Sequence, residues 1–465
     1  METTTEALSA DVLVIGFGKG GKTAAHALAE AGRRVVLVER SAHMYGGTCP
    51  NVGCVPSKML VHYSNAKRLE DEAREYFAKS VAGVRALTSA FRAGNLEAMN
   101  GHETATVITG EASFVDEHTV TVGAGEDRIT VTAPTILINT GSEPVIPAIP
   151  GLAESSHLVS STDLIENDRL PASLVIVGGG YLGLEFASIY RHFGAEVTVL
   201  EAADRLLPRE DEDIALAATE ILAGDGIRIL TGVRVTGVSD NEDTATVSYE
   251  KDGRTLTVDG HALLPATGRR PVTDHLNLQA AGVRTTARGA IEVDEHLRTS
   301  RPHIYALGDV NGGEQFTYVS FDDARVVLDQ LLGEGKLQRT VTDRVAVPHT
   351  LFITPPLATV GLKETQARAE GRKIKVSREK VADIVAMPRA YTVEETRGVW
   401  KFIVDADTDL VLGAALLTID AQEIINTVAL AMRHGITATQ LRDSIYTHPS
   451  STEGLNEVFD KVLPE

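Results

Sequence analysis

The strongest constraint on this chain is a pattern that occurs twice. Asp11-Val12-Leu13-Val14-Ile15 is a short β-branched run, which reads as a buried parallel strand. Gly16-Phe17-Gly18-Lys19-Gly20-Gly21 follows at once, then an Ala- and Leu-rich helical stretch from about Lys22 to Ala31. Gly32 ends that helix, and Arg33 to Val38 reads as a second strand finishing at Glu39. The same order returns as the strand Ser173 to Val177, the turn Gly178-Gly179-Gly180-Tyr181-Leu182-Gly183, a helix to about Phe193 capped by Gly194, and Glu196 to Leu200 with Glu201. In both copies 21 residues separate the second glycine from the acidic residue. A strand, a G-x-G-x-x-G turn, a helix, a strand and an acid make a dinucleotide-binding unit. The first glycine turns the chain, the second admits a pyrophosphate, and the third lets helix and strand pack closely. The phosphates meet the positive end of the helix, and the acid accepts from a ribose. Gly16, Gly18, Gly21 and Glu39 are therefore the candidate contacts of the first unit. Gly178, Gly180, Gly183 and Glu201 are those of the second.

Two further strands end in Thr-Gly turns, at Asn139-Thr140-Gly141 and Ala266-Thr267-Gly268, and read as the exits of the two units. Ile304 to Asp309 reads as another short strand ending at Asp309. From about Val345 the pattern changes to strands at Val399 to Val404 and Val411 to Leu417, with helices at Ala421 to His434 and Ala438 to Ser444. The formal net charge of -20 disfavours nucleic acid or an anionic membrane as the main partner. Met1 to Ala10 lacks the basic start and apolar core of a leader. The most apolar stretch, Ser173 to Tyr190, is broken by three glycines and Glu185. A cytoplasmic enzyme is the expectation.

The chain's two cysteines, Cys49 and Cys54, lie five positions apart in Gly46-Gly47-Thr48-Cys49-Pro50-Asn51-Val52-Gly53-Cys54. Such a pair can close a small disulfide that accepts and returns two electrons. Five residues of regular helix advance about 7.5 Å, beyond the roughly 7 Å limit between bridged Cα atoms. An irregular first turn is required, and Pro50 and Gly53 suit one. A structural staple fits poorly, because so short a loop removes little chain entropy.

Together these motifs, with Thr447-His448-Pro449 and Glu453 near the end, resemble the pyridine nucleotide-disulfide oxidoreductases. Phe17-Gly18-Lys19, Met44-Tyr45-Gly46-Gly47-Thr48-Cys49, Gln315-Phe316-Thr317-Tyr318 and Leu331-Leu332-Gly333-Glu334-Gly335-Lys336 are similar to a branch of that family that reduces Cu(II) in reactive-chlorine defence. The resemblance implies an α/β fold of two Rossmann-like modules and a C-terminal α+β dimerisation domain. It divides the chain into residues 1–150 and 271–344 for FAD, 151–270 for NADH or NADPH, and 345–465 for dimerisation. It implies Thr48, Thr140, Gly141, Gly268 and Asp309 as further cofactor contacts, Asp309 at the ribityl chain. Lys58 and Glu185 would pair beside the flavin. Cys54 would lie against the flavin as the charge-transfer thiolate, and Cys49 would face the acceptor. His448, oriented by Glu453, would serve as base from the partner subunit of a homodimer. Cu(II) is the favoured acceptor, held transiently at Cys49 and Cys54. Met44 stands beside the turn, either as a further soft ligand or as packing near the flavin. Lipoamide dehydrogenase and a mercuric-reductase-like metal reductase are the alternatives. The chain lacks a second, C-terminal cysteine pair and a metal-binding domain ahead of the first strand, which argues against the latter. A redox sensor fits less well, because it leaves two complete nucleotide units unexplained. Glu201 favours NADH by repelling a 2′-phosphate, while Arg205, four residues on, would soften that exclusion.

Overall fold

Val12–Ile15 is buried at every position, as befits a strand covered on both faces. It pairs in parallel with Val35–Glu39 on one side and Thr135–Ile138 on the other. Ala105–Thr109 and Ile304–Ala306 complete a five-stranded parallel sheet. The second unit repeats this, with Ser173–Val177 between Glu196–Leu200 and Ala262–Pro265, and Arg228–Leu230 at the edge. The computed structural model describes residues 6–125, 128–333 and 339–464. Glu334, Gly335 and Lys336 of the Leu331 to Lys336 motif lie outside the described residues, as do the first five residues of the amino terminus.

Several boundaries differ from expectation. The first helix runs Lys19–Glu30, so it starts three residues early and takes in Gly20 and Gly21. Both glycines are wedged: a Cβ at Gly20 would meet the Ser320 carbonyl at 2.7 Å, and one at Gly21 would strike the Gly16 carbonyl. The second strand starts at Val35 because Arg34 is held in the preceding turn by Asp11, through its N–H at 2.8 Å and its guanidinium at 2.9 Å. The strand before Asp309 stops at Ala306, since Gly308 takes φ +71° and Gly308–Asn311 winds into a 3-10 turn carrying Asp309.

The carboxyl-terminal part is an α+β layer, as expected. His349–Leu351, Leu357–Gly361, Val411–Leu417, Val399–Asp405, Ile374–Lys380 and Leu463–Pro464 form one antiparallel sheet. The amphipathic helix Ala421–Arg433 packs on it through Ile424, Ile425 and Val428. The last expected helix is shorter, Ala438–Arg442. Three features were not anticipated: a 28-residue helix at Ala73–Asn100, a three-stranded antiparallel sheet within residues 234–260, and a four-stranded sheet that includes Glu6–Ser9.

The long helix matters for the site. One apolar cluster joins its Phe77, Val81 and Val84 to Leu60 of the helix Cys54–Ala66 and to Leu184, Phe186 and Phe193 of the second unit. Phe77 and Phe193 meet edge to face at 4.9 Å. The cysteine-bearing helix is thus clamped between the long helix and the second unit. Among the described residues, no helix is long and apolar enough to cross a membrane.

Candidate active site

The two glycine turns are built alike. Gly16 has φ +104° and Gly178 φ +112°, and an added Cβ would collide with the Asn139 and Ala266 carbonyls respectively. Each acidic residue ties its own turn. Glu39 accepts from the Phe17 N–H at 3.0 Å and the Ser41 N–H at 3.3 Å. Glu201 accepts from the Gly179 N–H at 2.6 Å and the Ala203 N–H at 2.7 Å. Burial pushes the Glu39 carboxyl above its usual range, against these donors. The copies differ at the middle glycine: Gly180 faces open space, whereas a Cβ at Gly18 would meet Asn139 Oδ1 at 2.7 Å.

A cleft opens at the carboxyl ends of the first sheet. It runs from Glu39 and Met44 past Gly16 and Gly18 to Thr48, Thr140 and Gly141. This is the crevice in which an open α/β sheet binds its ligand. A carboxylate at one end and a side-chain-free turn in the middle fit an adenosine ribose and a pyrophosphate, so the residues present suit FAD. Met44 lies in this wall, which favours packing over a metal role. Asp309 closes the far side through Ser142, whose hydroxyl donates to Asp309 Oδ2 at 2.6 Å and accepts from Arg269 Nε at 2.8 Å. Gly268 precedes Arg269 with φ +131°. Asn139, read from the sequence only as a strand exit, is a keystone: it accepts from the Gly21 N–H at 2.8 Å and donates to the Leu307 carbonyl at 2.6 Å.

The cysteine turn is seated on the first unit by glycine contact. A Cβ at Gly47 would stand 2.5 Å from the Gly18 Cα, and Gly47 takes φ +80°. Two helices follow, Thr48–Val52 and Cys54–Ala66, with the break at Gly53 (φ -129°, ψ -120°). Pro50 does not make the break. It lies inside the first short helix, where its missing N–H is no loss. Asn51 anchors the turn by donating to the Tyr45 and Gly47 carbonyls, and the long helix holds Asn51 through Arg92 Nε at 3.0 Å.

Both cysteines are free thiols, Cys54 exposed and Cys49 partly so. The Cys49 S–H donates to the Cys54 sulfur, and the Thr317 hydroxyl stands 3.4 Å from Cys54 Sγ. These bonds and the Lys58 charge outweigh burial and Glu185, and lower the Cys54 thiol to about 6. Cys49 is pushed up, first by donating its S–H in a hydrogen bond to the Cys54 sulfur and then by burial. Cys54 opens the helix Cys54–Ala66 and Thr317 opens Thr317–Leu332, so two positive helix ends face the thiolate. Lys58 and Glu185 pair at 2.8 Å. Glu185 also accepts from the Phe352 N–H at 2.9 Å, and the Lys58 ammonium lies 4.6 Å from the Phe352 ring centre.

His448 Nδ1 lies 2.9 Å from Glu453 Oε2, and Glu453 is fixed by the Ser450 N–H at 2.8 Å. The His448 side chain is 72% exposed, and among the described residues no hydrogen bond joins it to the cysteines of the same chain. Arg205 is engaged within its own loop. It donates to the carbonyls of Leu207, Pro208 and Glu210, and leaves Glu201 unopposed.

Comparison with known proteins agrees with this layout. The family described as "Pyridine nucleotide-disulphide oxidoreductase" matches residues 10–324, and that family's dimerisation domain matches residues 347–459. The chain is 44% identical over 450 residues to an Escherichia coli (strain K12) protein named "Probable pyridine nucleotide-disulfide oxidoreductase RclA", covering 97% of this chain and 98% of that one. It is 34% identical to the dihydrolipoyl dehydrogenase of Geobacillus stearothermophilus, covering 98% and 97% of the two chains. Identity to the mercuric reductase of Staphylococcus aureus is also 34%, covering 97% and 82%. Among solved structures, the Cu(II) complex of the HOCl-induced flavoprotein disulfide reductase RclA from Escherichia coli superposes with a TM-score of 0.92 at 42% identity, covering 98% of this chain and all of that one.

Proposed function

Because the chain belongs to the pyridine nucleotide-disulphide oxidoreductases, we propose that it passes electrons from NAD(P)H, by way of FAD and the Cys49–Cys54 pair, to Cu(II). It works as a cytoplasmic homodimer. FAD, when bound, accepts two electrons from the nicotinamide and delivers them to the disulfide.

The chain's own residues do the rest. The turn at Gly16 and Gly18, Glu39, Thr48, Thr140, Gly141 and Asp309 hold the flavin nucleotide. Gly178, Gly180, Gly183, Glu201 and Gly268 hold the nicotinamide one. Lys58, kept in place by Glu185, supplies positive charge beside Cys54. Cys54 keeps its thiolate at neutral pH, and Cys49 keeps the proton until it meets the acceptor. For a disulfide-type acceptor, His448 from the partner subunit takes or returns that proton, with Glu453 fixing the ring. The exposed apolar side chains of Val385, Tyr391, Leu430 and Ile445 on the C-terminal layer suit a face covered by a second copy.

The observation that carries this reading is the thiol pair itself. It stands on the first nucleotide turn, packs against the second unit, and sits in a field that ionises Cys54 near neutrality. Copper is a substrate here. Among the described residues no group of three or more His, Cys, Asp or Glu side chains is arranged to hold a metal ion. Two thiolates suit Cu(I), the product. The balance is NAD(P)H and two Cu(II) giving NAD(P)+, a proton and two Cu(I), with the disulfide re-formed each cycle. A Cu(I)-specific chelator assay tests it. Wild type should reduce Cu(II) at the expense of NAD(P)H, and Cys49→Ser and Cys54→Ser should not. Equal rates in all three would mean that the cysteines are bypassed. A preference for lipoamide by orders of magnitude in kcat/KM would replace copper as acceptor.

A further inference from the structure

Asp323 is a buried carboxylate that the mechanism above leaves unused. It sits on the helix Thr317–Leu332 and is 1% exposed. Burying a charge is costly unless the charge is paired and hydrogen-bonded, so its partners show what it serves. Its Oδ2 accepts from the Gly308 N–H at 2.6 Å and from the Asn311 amide at 3.3 Å. Those two residues are the ends of the 3-10 turn Gly308–Asn311, which carries Asp309. Its Oδ1 pairs with the Arg344 guanidinium, which also donates from Nε to Asp322 Oδ2 at 2.8 Å.

The turn needs such a hold. Gly308 takes φ +71°, in the left-handed region, and Gly312 closes the turn at φ +77°. The chain ahead of it is fixed at Leu307, whose N–H donates to the Ile138 carbonyl at 2.8 Å and whose own carbonyl accepts from Asn139. Past Leu307, Asp323 takes over the Gly308 N–H. Ser142 holds the tip of the Asp309 side chain, and Asp323 holds the backbone that carries it. The same helix serves two neighbouring points: Thr317 reaches Cys54, and Ser320 Oγ accepts from the Gly20 N–H at 3.1 Å. Arg344 stands where the chain passes into the carboxyl-terminal layer. The next two carbonyls, of Val345 and Ala346, accept from Arg433 at 2.9 and 3.0 Å.

We infer that Asp323 is a positioning residue for the flavin. It holds the turn that presents Asp309 to FAD, and Arg344 keeps its carboxylate in place. This rests on the reading of Asp309 as a flavin contact.

FAD release from diluted holoenzyme is followed by the rise of flavin fluorescence, and dimer size is checked in each variant. Asp323→Ala should speed release about fivefold or more, since it strips the turn of its buried acceptor. Asp323→Asn keeps one oxygen for the Gly308 N–H and should fall between wild type and Asp323→Ala. In an Asp309→Asn parent, itself faster than wild type, Asp323→Ala should add less than about twofold, a coupling that general loosening of the fold does not produce. Wild-type release in Asp323→Ala, or an undiminished effect in the Asp309→Asn parent, overturns the proposal and leaves Asp309 as a flavin contact. Wild-type release in Asp309→Asn overturns the reading of Asp309 and the proposal with it. Should Asp323→Ala fail to fold, Asp323→Asn carries the same cycle, with an effect of about twofold that must vanish in the Asp309→Asn parent. The measurement uses neither NAD(P)H nor an acceptor, so the copper assay is judged separately.

Discussion

Removing the Thr317 hydroxyl should make Cys54 a weaker acid. In Thr317→Val the side chain keeps its shape and loses the O–H that stands 3.4 Å from Cys54 Sγ. A hydrogen bond to a charged group is worth about 1.5–3 kcal/mol, and a long contact to sulfur belongs at or below the lower end. With 1.36 kcal/mol per tenfold change, the loss of about 1.4 kcal/mol moves the titration roughly one pH unit upward. The wild-type thiolate titrates at about 6. The sign is fixed: the thiolate is the favoured form above that value, so the variant holds less of it at pH 6 to 7. The assay is the thiolate–flavin charge-transfer absorbance of anaerobically reduced holoenzyme, followed from pH 5 to 9. A Cys49→Ala variant should move the midpoint further in the same direction, because the Cys49 S–H is the largest single support of the thiolate. A midpoint that stays in place or falls in Thr317→Val would refute the hydrogen-bond argument.

NADH should exceed NADPH in kcat/KM by at least tenfold, about 1.4 kcal/mol of transition-state preference, because Arg205 is engaged by carbonyls and Glu201 faces a 2′-phosphate unopposed; a tenfold advantage for NADPH contradicts this. In rapid mixing, His448→Ala should leave flavin reduction by NADH near wild type and slow reoxidation by a disulfide acceptor, whereas equal slowing of both halves points to a structural role. Lys401→Met should destabilise the fold by about 3–5 kcal/mol, read as a lower melting temperature. The buried Lys401 ammonium holds Asp211 at 3.0 Å, Asp213 at 3.1 Å and Glu364 at 2.5 Å, and its removal leaves three carboxylates together. Burial works against Asp211 and Glu364, yet their hydrogen bonds hold both below the usual carboxylate range. Their stabilisation is present above that range and lost as pH falls, so the gap between wild type and variant should narrow toward pH 4; a gap that widens on acidification defeats the argument.

The two nucleotide units were legible because each combines a fully buried strand, which leaves an unbroken apolar run, with glycines whose absence of Cβ is sterically forced. The cysteine turn was legible in part. Spacing alone demanded a break between Cys49 and Cys54, but Gly53 makes it and Pro50 does not, since the first turn of a helix tolerates proline. The long helix Ala73–Asn100 was missed although Phe77, Val81, Val84 and Thr88 recur at helical spacing on its buried face. Arg92 and Asn95 continue that spacing, four and seven positions beyond Thr88, but both are polar, so the apolar signal stops there. Thr317 meets Cys54 across 263 positions of sequence, and Asn139 bridges three separate segments, so no local pattern could reveal either. For Arg205, sequence spacing carries proximity but not direction. Its nearness to Glu201 in sequence is real, but its guanidinium is turned back onto its own loop.

NAD(P)H electrons should reach the Cys49–Cys54 pair. Oxidised holoenzyme is treated anaerobically with one equivalent of NADH or with buffer, quenched with an alkylating agent under denaturing conditions, and weighed by intact mass spectrometry. No label is expected without NADH and two labels per chain with it, both on the peptide that contains Cys49 and Cys54. Two labels without NADH, or none after the flavin has been fully reduced, would contradict it.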